Sequence, residues 1–213
     1  MTDASGFATT TLGPTYWGER LGTRLTTLRL HRQPRTPIGE VRSGTVHVRG
    51  AVRAIAPPAR GPVTGRPVVL GRLLSCVEPV GLGKQNDGRP VTLADVTFGG
   101  DFAIEDETGR VRVAVGVGVP FELLVLVRRA GEWNASSRSA ALRAFAEAHP
   151  NALIPLDVSG AVHGEWAIEE GQTLSVIASV VGQDAIVDGR DYRGTRTESV
   201  LGARGEKPIL LFE

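Results

Sequence analysis

Apolar and polar residues alternate over the segment 45–55, and this pattern predicts a β-strand. Successive side chains of a strand point to opposite faces, so each face can be read from every second residue. The apolar face consists of Val46, Val48, Val52 and Ala54. The polar face consists of Thr45, His47, Arg49 and Arg53. We therefore expect a strand with one face in a core and a basic face towards solvent.

The same period of two predicts a hairpin over residues 101–115. Its apolar face would carry Val111, Val113 and Val115, and its outer face Arg110, Arg112 and Ala114. We expect Gly109 to supply the positive φ that reverses the chain, and Asp106 to accept backbone N–H bonds within the turn. Further strands are predicted at 68–77, 172–181 and 208–212. The chain is thus predicted to be mainly β.

One α-helix is predicted in the second half of the chain. Its apolar stripe consists of Ala141, Leu142, Phe145 and Ala148, at helical spacing. Ser136 or Ser137 can cap its start, and the pair His149-Pro150 ends it. This helix is inserted between predicted strands, so it does not change the fold class.

The first 35 residues form a separate extension in this interpretation, and residues 36–213 form the domain. Residues 1–15 are predicted to be disordered. An amphipathic helix follows, with an apolar stripe of Trp17, Leu21, Leu25 and Leu28. Arg20, Arg24, Arg29 and Arg32 supply positive charge beside the stripe. Two roles stay open: packing on the barrel, which we favour, and peripheral contact with an anionic membrane.

Composition excludes several classes of protein. The 213 residues are 41% hydrophobic and 22% charged, which is typical of a globular domain. The lone Cys76 excludes an intramolecular disulfide and a cysteine-based metal site. Met1 is followed by neither the basic start nor the apolar run of a signal peptide. We therefore expect a cytoplasmic protein.

No catalytic constellation emerges from the motifs. The four histidines His31, His47, His149 and His163 are scattered, and we interpret them as structural or surface residues. The run His163-Gly-Glu165 has the spacing of zinc deaminases, but the Pro-Cys-x-x-Cys partner of that motif is missing. No Gly-x-Ser-x-Gly elbow is present. We predict a non-enzymatic protein without metal or cofactor.

Four segments together resemble one protein family. They are Thr36-Pro37-Ile38 leading into 44–50, the run 62–69, the run 102–109, and the run 165–171 before a strand. In this order they are similar to the GIDE domain, also called the "beside a membrane" (BAM) domain. The family is known from the mitochondrial ubiquitin ligase activator of NF-κB and from bacterial and archaeal proteins, and the similarity extends over about residues 37–212.

The resemblance implies an OB-like β-barrel in the cytoplasm that serves as a sensing or partner-binding module, with a setting close to a membrane as one option. The eukaryotic relatives carry transmembrane helices and a zinc-binding RING, and no matching segment stands in this sequence. Ubiquitin ligase activity belongs to the RING, so it does not carry over. The resemblance therefore favours a binding module for protein–protein or membrane-proximal assembly.

An alternative function is binding of single-stranded nucleic acid. OB-folds bind oligonucleotides with the face of strands 2–3 and with the loop between their last two strands. Arginines can meet phosphates there while an aromatic ring stacks on a base. The candidate ligand-binding residues are Arg49, Arg53, Arg110, Arg112, Arg190, Tyr192, Arg193 and Arg196.

Overall fold

A computed structural model of the chain describes residues 34–77, 91–115, 121–123, 139–186, 196–204 and 209–212. Of residues 121–123, 185, 186 and 196 only the backbone is described. The strands are, in chain order, β1 (Thr45–Ala54), β2 (Ala59–Arg60), β3 (Pro67–Val68), β4 (Leu70–Val77), β5 (Val91–Gly99), β6 (Phe102–Asp106), β7 (Gly109–Val113), β8 (Phe121–Leu123), β9 (Ala161–Ile168), β10 (Thr173–Ile186), β11 (Arg196–Gly202) and β12 (Ile209–Phe212). One α-helix, α1 (Ala140–Ala148), and two 3-10 helices, Ile38–Glu40 and Pro150–Ala152, complete the described elements.

Five of these strands close into a barrel. Their order is β1-β6-β7-β11-β10, and β10 pairs back to β1. All pairs are antiparallel except β7 with β11, which is parallel. Counted along the barrel strands alone, this is the order 1-2-3-5-4, the Greek-key arrangement of an OB-like barrel. The predicted fold class, a mainly β protein with an OB-like barrel and one inserted α-helix, is confirmed.

Alternating apolar residues fill the interior of the barrel. From β1 these are Val46, Val48 and Val52, and from the hairpin Val111, Val113 and Val115, all buried as predicted. His47 is also buried, although the alternation places it on the opposite, outer face. The expectation that this whole polar face meets solvent is therefore wrong at His47. Its ring lies 5.6 Å from that of Phe212, at the end of β12.

The β6–β7 turn is stabilised by Asp106 rather than by the conformation of Gly109. Asp106 Oδ1 accepts hydrogen bonds from the backbone N–H groups of Thr108 (2.8 Å) and Gly109 (3.0 Å). Its Oδ2 accepts one from the N–H of Ile38 (3.1 Å), at the start of the first 3-10 helix. The prediction for Asp106 is confirmed, but Gly109 does not have the predicted positive φ.

The described chain divides into two compact units. The barrel strands belong to one of them, and segments within 58–99 and 128–168 form the other. The second unit contains a three-stranded antiparallel sheet in the order β5-β4-β9 and the short pair β2–β3. Leu142 and Phe145 of α1 join Leu73, Val96 and Phe98 of the sheet in its core.

Helix α1 ends where the sequence predicts but begins later. Ser139 is its N-cap, and the hydroxyl of Ser139 accepts a bond from the N–H of Leu142. The prediction of Ser136 or Ser137 as the cap was wrong. Of the predicted stripe only Leu142 and Phe145 are buried, and Ala141 and Ala148 are exposed.

Residues 1–33, and with them the predicted N-terminal helix, lie outside the described residues, and the predicted domain boundary at residue 35 stays a prediction. None of the helices in the described ranges combines the length and the apolar character that crossing a membrane requires.

Candidate functional site

The outer face of the barrel carries four of the predicted ligand-binding arginines. Arg49 and Arg53 lie on β1, and Arg110 and Arg112 lie on β7. The inward positions of both strands are valines, so these arginines point away from the interior. Arg196 is the first residue of β11, where only the backbone is described. Arg190, Tyr192 and Arg193 lie outside the described residues.

Arg53 forms an ion pair with Glu105 on the neighbouring strand β6. The guanidinium Nε and the Glu105 carboxylate are 2.6 Å apart. Both side chains stay close to half exposed, at 46% and 44%. Solvent screens such a pair strongly, so it adds little to stability, at most about 1 kcal/mol. It does fix the direction of both side chains on the surface.

Arg112 bridges two carboxylates on either side of β7. One guanidinium nitrogen lies 2.6 Å from Asp101 and another lies 2.6 Å from Asp184 on β10. Asp101 is itself held by the N–H of Val115 at 2.8 Å. The hydrogen bond to Asp101 outweighs partial burial and raises the pKa of Arg112 above its usual value. Three N–H groups of this guanidinium are therefore already engaged by the two carboxylates.

Arg110 is also paired, with Glu198 on β11 at 3.2 Å between Nε and Oε1. The contact lacks hydrogen-bond geometry, since Glu198 Oε1 is buried without a hydrogen-bond partner. It is therefore a charge pair across the parallel β7–β11 pairing. The exposed Arg49 has no ion pair within the described residues.

These pairs form one charged surface, which we call the charge ladder. It consists of Arg53, Arg110 and Arg112 with Glu105, Asp101, Asp184 and Glu198. Three positive and four negative groups give the ladder a net charge of −1. The described outward residues of β6, β7 and β11 include no aromatic side chain. The basic, aromatic surface expected for a nucleic-acid interface is not what these described residues form.

The second unit buries a polar pair, Ser75 and His163, between neighbouring strands β4 and β9. Ser75 Oγ and His163 Nδ1 are 2.8 Å apart, and both side chains are fully buried. His163 Nε2 has no hydrogen-bond partner in the described part of the chain. Burial lowers the pKa of His163 below its usual value. The interpretation of His163 as a structural histidine agrees with this setting.

Glu165 holds a loop rather than forming half of a deaminase motif. Its carboxylate is fully buried. Oε2 accepts hydrogen bonds from the N–H of Val63 (2.7 Å) and of Thr64 (3.0 Å), and Oε1 accepts one from the Thr64 hydroxyl (2.7 Å). Within the described ranges no group of His, Cys, Asp and Glu residues could hold a metal ion. The chemistry of Glu165 is therefore acceptance of loop hydrogen bonds.

Cys76 is buried on β4, next to Ser75. Burial raises the pKa of its thiol, against the weaker opposing effect of the Thr92 hydroxyl. A thiol with a raised pKa forms little thiolate at neutral pH, so Cys76 is poorly suited to act as a nucleophile.

Sequence reasoning found the arginines of the ladder but not the carboxylates that pair with them. Asp101 and Glu105 stand in the predicted hairpin, but neither they nor Asp184 and Glu198 carry a local signal that they face an arginine. Arg112 and Asp184 are 72 residues apart in the chain. The role of Glu165 was missed for the same reason, since its partner Thr64 lies 101 residues earlier.

Burial of His163 predicts that the stability of the chain falls with acidification. Because its folded-state pKa lies below the unfolded value of about 6.5, the unfolded chain takes up the proton first. Stability is therefore fully present above about pH 6.5 and is lost as pH falls towards the folded-state pKa, by up to about 1.4 kcal/mol per pH unit. Urea unfolding at pH 7, 6 and 5 measures this.

The variant His163→Gln should flatten the pH dependence of the unfolding free energy between pH 7 and 5. The matched variant His149→Gln removes a half-buried histidine of the same unit and should keep the slope that His163 contributes. Equal slopes for the wild type and His163→Gln would contradict the assignment.

Comparison with protein-family models, with curated proteins and with solved structures finds no match to this chain.

Proposed function

We propose that this protein is a non-enzymatic binding module of the GIDE type, which recognises a protein partner through the charge ladder. The observation that carries the proposal is the fixed alternation of guanidinium and carboxylate groups over β1, β6, β7, β11 and β10. In OB-like barrels the face of the second and third strands is the usual ligand-binding face. Here those strands are β6 and β7.

A surface of alternating fixed charges suits a partner with complementary fixed charges. Electrostatic complementarity of this kind selects the partner and its register more than it adds affinity. A folded protein surface offers both signs of charge, whereas a nucleic-acid backbone offers only negative charge. With a net charge of −1, the ladder favours a protein partner over a polyanion.

A binding role is also supported by the placement of the reactive side chains. Cys76, Ser75 and His163 are buried, and Glu165 is occupied by loop hydrogen bonds. An assembly in the cytoplasm or close to a membrane is the setting that the family resemblance implies, and it is part of this proposal.

An inverted ion pair tests the partner-binding role of the ladder. The double variant Arg53→Glu with Glu105→Arg keeps a possible pair but reverses its field. The tagged full-length chain is cross-linked in its native cells, and captured proteins are quantified for the wild type, the double variant and the control Arg143→Glu, an exposed change on α1. We expect one or more partners to be lost at least tenfold with the double variant and kept with the control. Capture that is the same for all three chains would contradict the proposal.

Single-stranded oligonucleotides should bind weakly, even at low salt. The guanidinium groups of Arg53, Arg110 and Arg112 would have to break their ion pairs before they could contact phosphates. Only then would the counterions of the nucleic acid be released. We therefore expect no measurable binding at about 50 mM salt. Fluorescence anisotropy with labelled 20-mers checks this. A dissociation constant that rises steeply with salt, with a slope reduced in the variant Arg53→Ala/Arg110→Ala/Arg112→Ala, would instead support the nucleic-acid alternative.

A further inference from the structure

A small apolar cluster lies on the outer face of the barrel, on the side of β1, β10 and β12. It consists of the buried Ile177 and Phe212 with the half-buried Leu210. The strand register places Ile177 opposite His47 on one side and opposite Leu210 on the other. The neighbouring inward residues Val176 and Leu211 fill the barrel interior, so the cluster residues point outward. We call this group, together with His47, the outer cluster.

The outer cluster is buried although it faces away from the barrel interior. His47, Ile177 and Phe212 are only 3%, 4% and 2% exposed. Among the described residues, the hydrophobic side chains of the outer cluster all come from β10 and β12. Ser175, which pairs with both Arg49 and Phe212, is buried too, and its hydroxyl has no described hydrogen-bond partner. Outward side chains become buried only when further chain lies over them.

The described chain enters the structure beside this cluster. Pro34 is the first described residue, and the N–H of Thr36 donates a 2.8 Å hydrogen bond to the carbonyl of His47. The 33 residues before Pro34 therefore join the described chain at the border of the outer cluster. Within them, residues 16–31 carry the apolar stripe of Trp17, Leu21, Leu25 and Leu28. As a helix this stretch would be about 24 Å long, enough to cross several strands.

We propose that residues 16–31 dock on the outer cluster as a helix, with their apolar stripe over Ile177, Leu210 and Phe212. The occupant is thus this chain's own N-terminal segment. Only a few residues of chain separate the apolar stripe from the outer cluster. The stripe can therefore bind there with little cost in loop-closure entropy. The proposal does not depend on the charge ladder: the two surfaces share β1 and β10, but the ladder uses Arg53 and Asp184 there, whereas the outer cluster uses His47 and Ile177.

Pairs of introduced cysteines in the full-length chain test the docking. Leu25→Cys or Leu28→Cys is combined with Leu210→Cys, and a short bismaleimide is added at low protein concentration. The control combines each with Gln183→Cys, an exposed position six residues beyond Ile177 on β10 and so about 20 Å away. We expect an intramolecular cross-link in most molecules with Leu210→Cys and at least a fivefold lower yield with Gln183→Cys.

Each other result would overturn the docking. Cross-linked dimers with Leu210→Cys would assign the outer cluster to a second copy of the chain. Equal yields for Leu210→Cys and Gln183→Cys, or no cross-link with either, would show that the segment does not lie there. Sedimentation of the uncross-linked Leu28→Cys chain with anionic vesicles, together with loss of the cross-link, would assign the stripe to a membrane surface instead.

Discussion

The variant Gly50→Ala is expected to disrupt the barrel and to lower its stability strongly, although it adds only one methyl group. A Cβ at this position of β1 would lie 2.2 Å from the carbonyl oxygen of Glu105 and 2.7 Å from its carbonyl carbon. Both are backbone atoms of the neighbouring strand β6, so no side-chain rotation can relieve the contact. β1 and β6 would have to separate where they pair.

We expect Gly50→Ala to lower the unfolding free energy by about 3–5 kcal/mol, the upper range for one substitution. Chemical unfolding followed by circular dichroism measures it. The matched control is Gly182→Ala, in β10 of the same barrel, where an added Cβ meets no atom within 4 Å. That control should stay within about 0.5 kcal/mol of the wild type. A similar small effect for both variants would mean that β1 and β6 are not paired in this register.

The alternation of apolar residues was sufficient to predict strands of the barrel because its period matches the geometry of a strand, whereas their closure into an OB-like barrel was implied by the resemblance alone. Val46, Val48 and Val52 are buried for the reason that the pattern gives. The pattern failed at His47, since it assumes that a strand has one buried face and one exposed face. In β1 both faces are buried near His47. A local pattern carries no information about whether another part of the chain covers the outer face of a strand.

Neither the origin of the turn nor the division into two units could be read from neighbouring residues alone. A glycine after Asp-Glu-Thr is typical of a positive φ, but here the hydrogen bonds of Asp106 determine the turn. The strands β5 and β6 are separated by only two residues, and β9 and β10 by four, although they belong to different units. Short connections of this kind are ordinary hairpin signals in a sequence.

Residues of the four short motifs 36–50, 62–69, 102–109 and 165–171 contact one another in pairs. Ile38 donates its N–H to Asp106 of the run 102–109. Thr64 of the run 62–69 donates both its N–H and its hydroxyl to Glu165 of the run 165–171. A sequence displays such residues as separate short motifs, because nothing local connects positions about 70 or 100 residues apart.

Glu165 provides the second large effect expected. The variant Glu165→Ala removes the acceptor of three hydrogen bonds and leaves the N–H groups of Val63 and Thr64 without partners in a partly buried place. Unmet buried donors cost roughly 1–3 kcal/mol each, so we expect a loss of about 3–4 kcal/mol. Gly61 packs directly against this carboxylate, where an added Cβ would lie 2.2 Å from Oε1, so the truncation also leaves a gap beside Gly61.

The variant Glu165→Gln separates the shape of the side chain from its acceptor chemistry. The amide oxygen can still accept from the N–H groups of Val63 and Thr64, while the amide nitrogen donates to the Thr64 hydroxyl in place of accepting from it. We therefore expect Glu165→Gln to lose only about 1 kcal/mol, and the exposed control Glu170→Ala about none. Amide hydrogen exchange at Val63 and Thr64 gives a second measurement, because exchange at both sites should accelerate strongly in Glu165→Ala and little in Glu165→Gln. If the two variants were equally unstable, the negative charge of Glu165 rather than its hydrogen bonds would hold the loop.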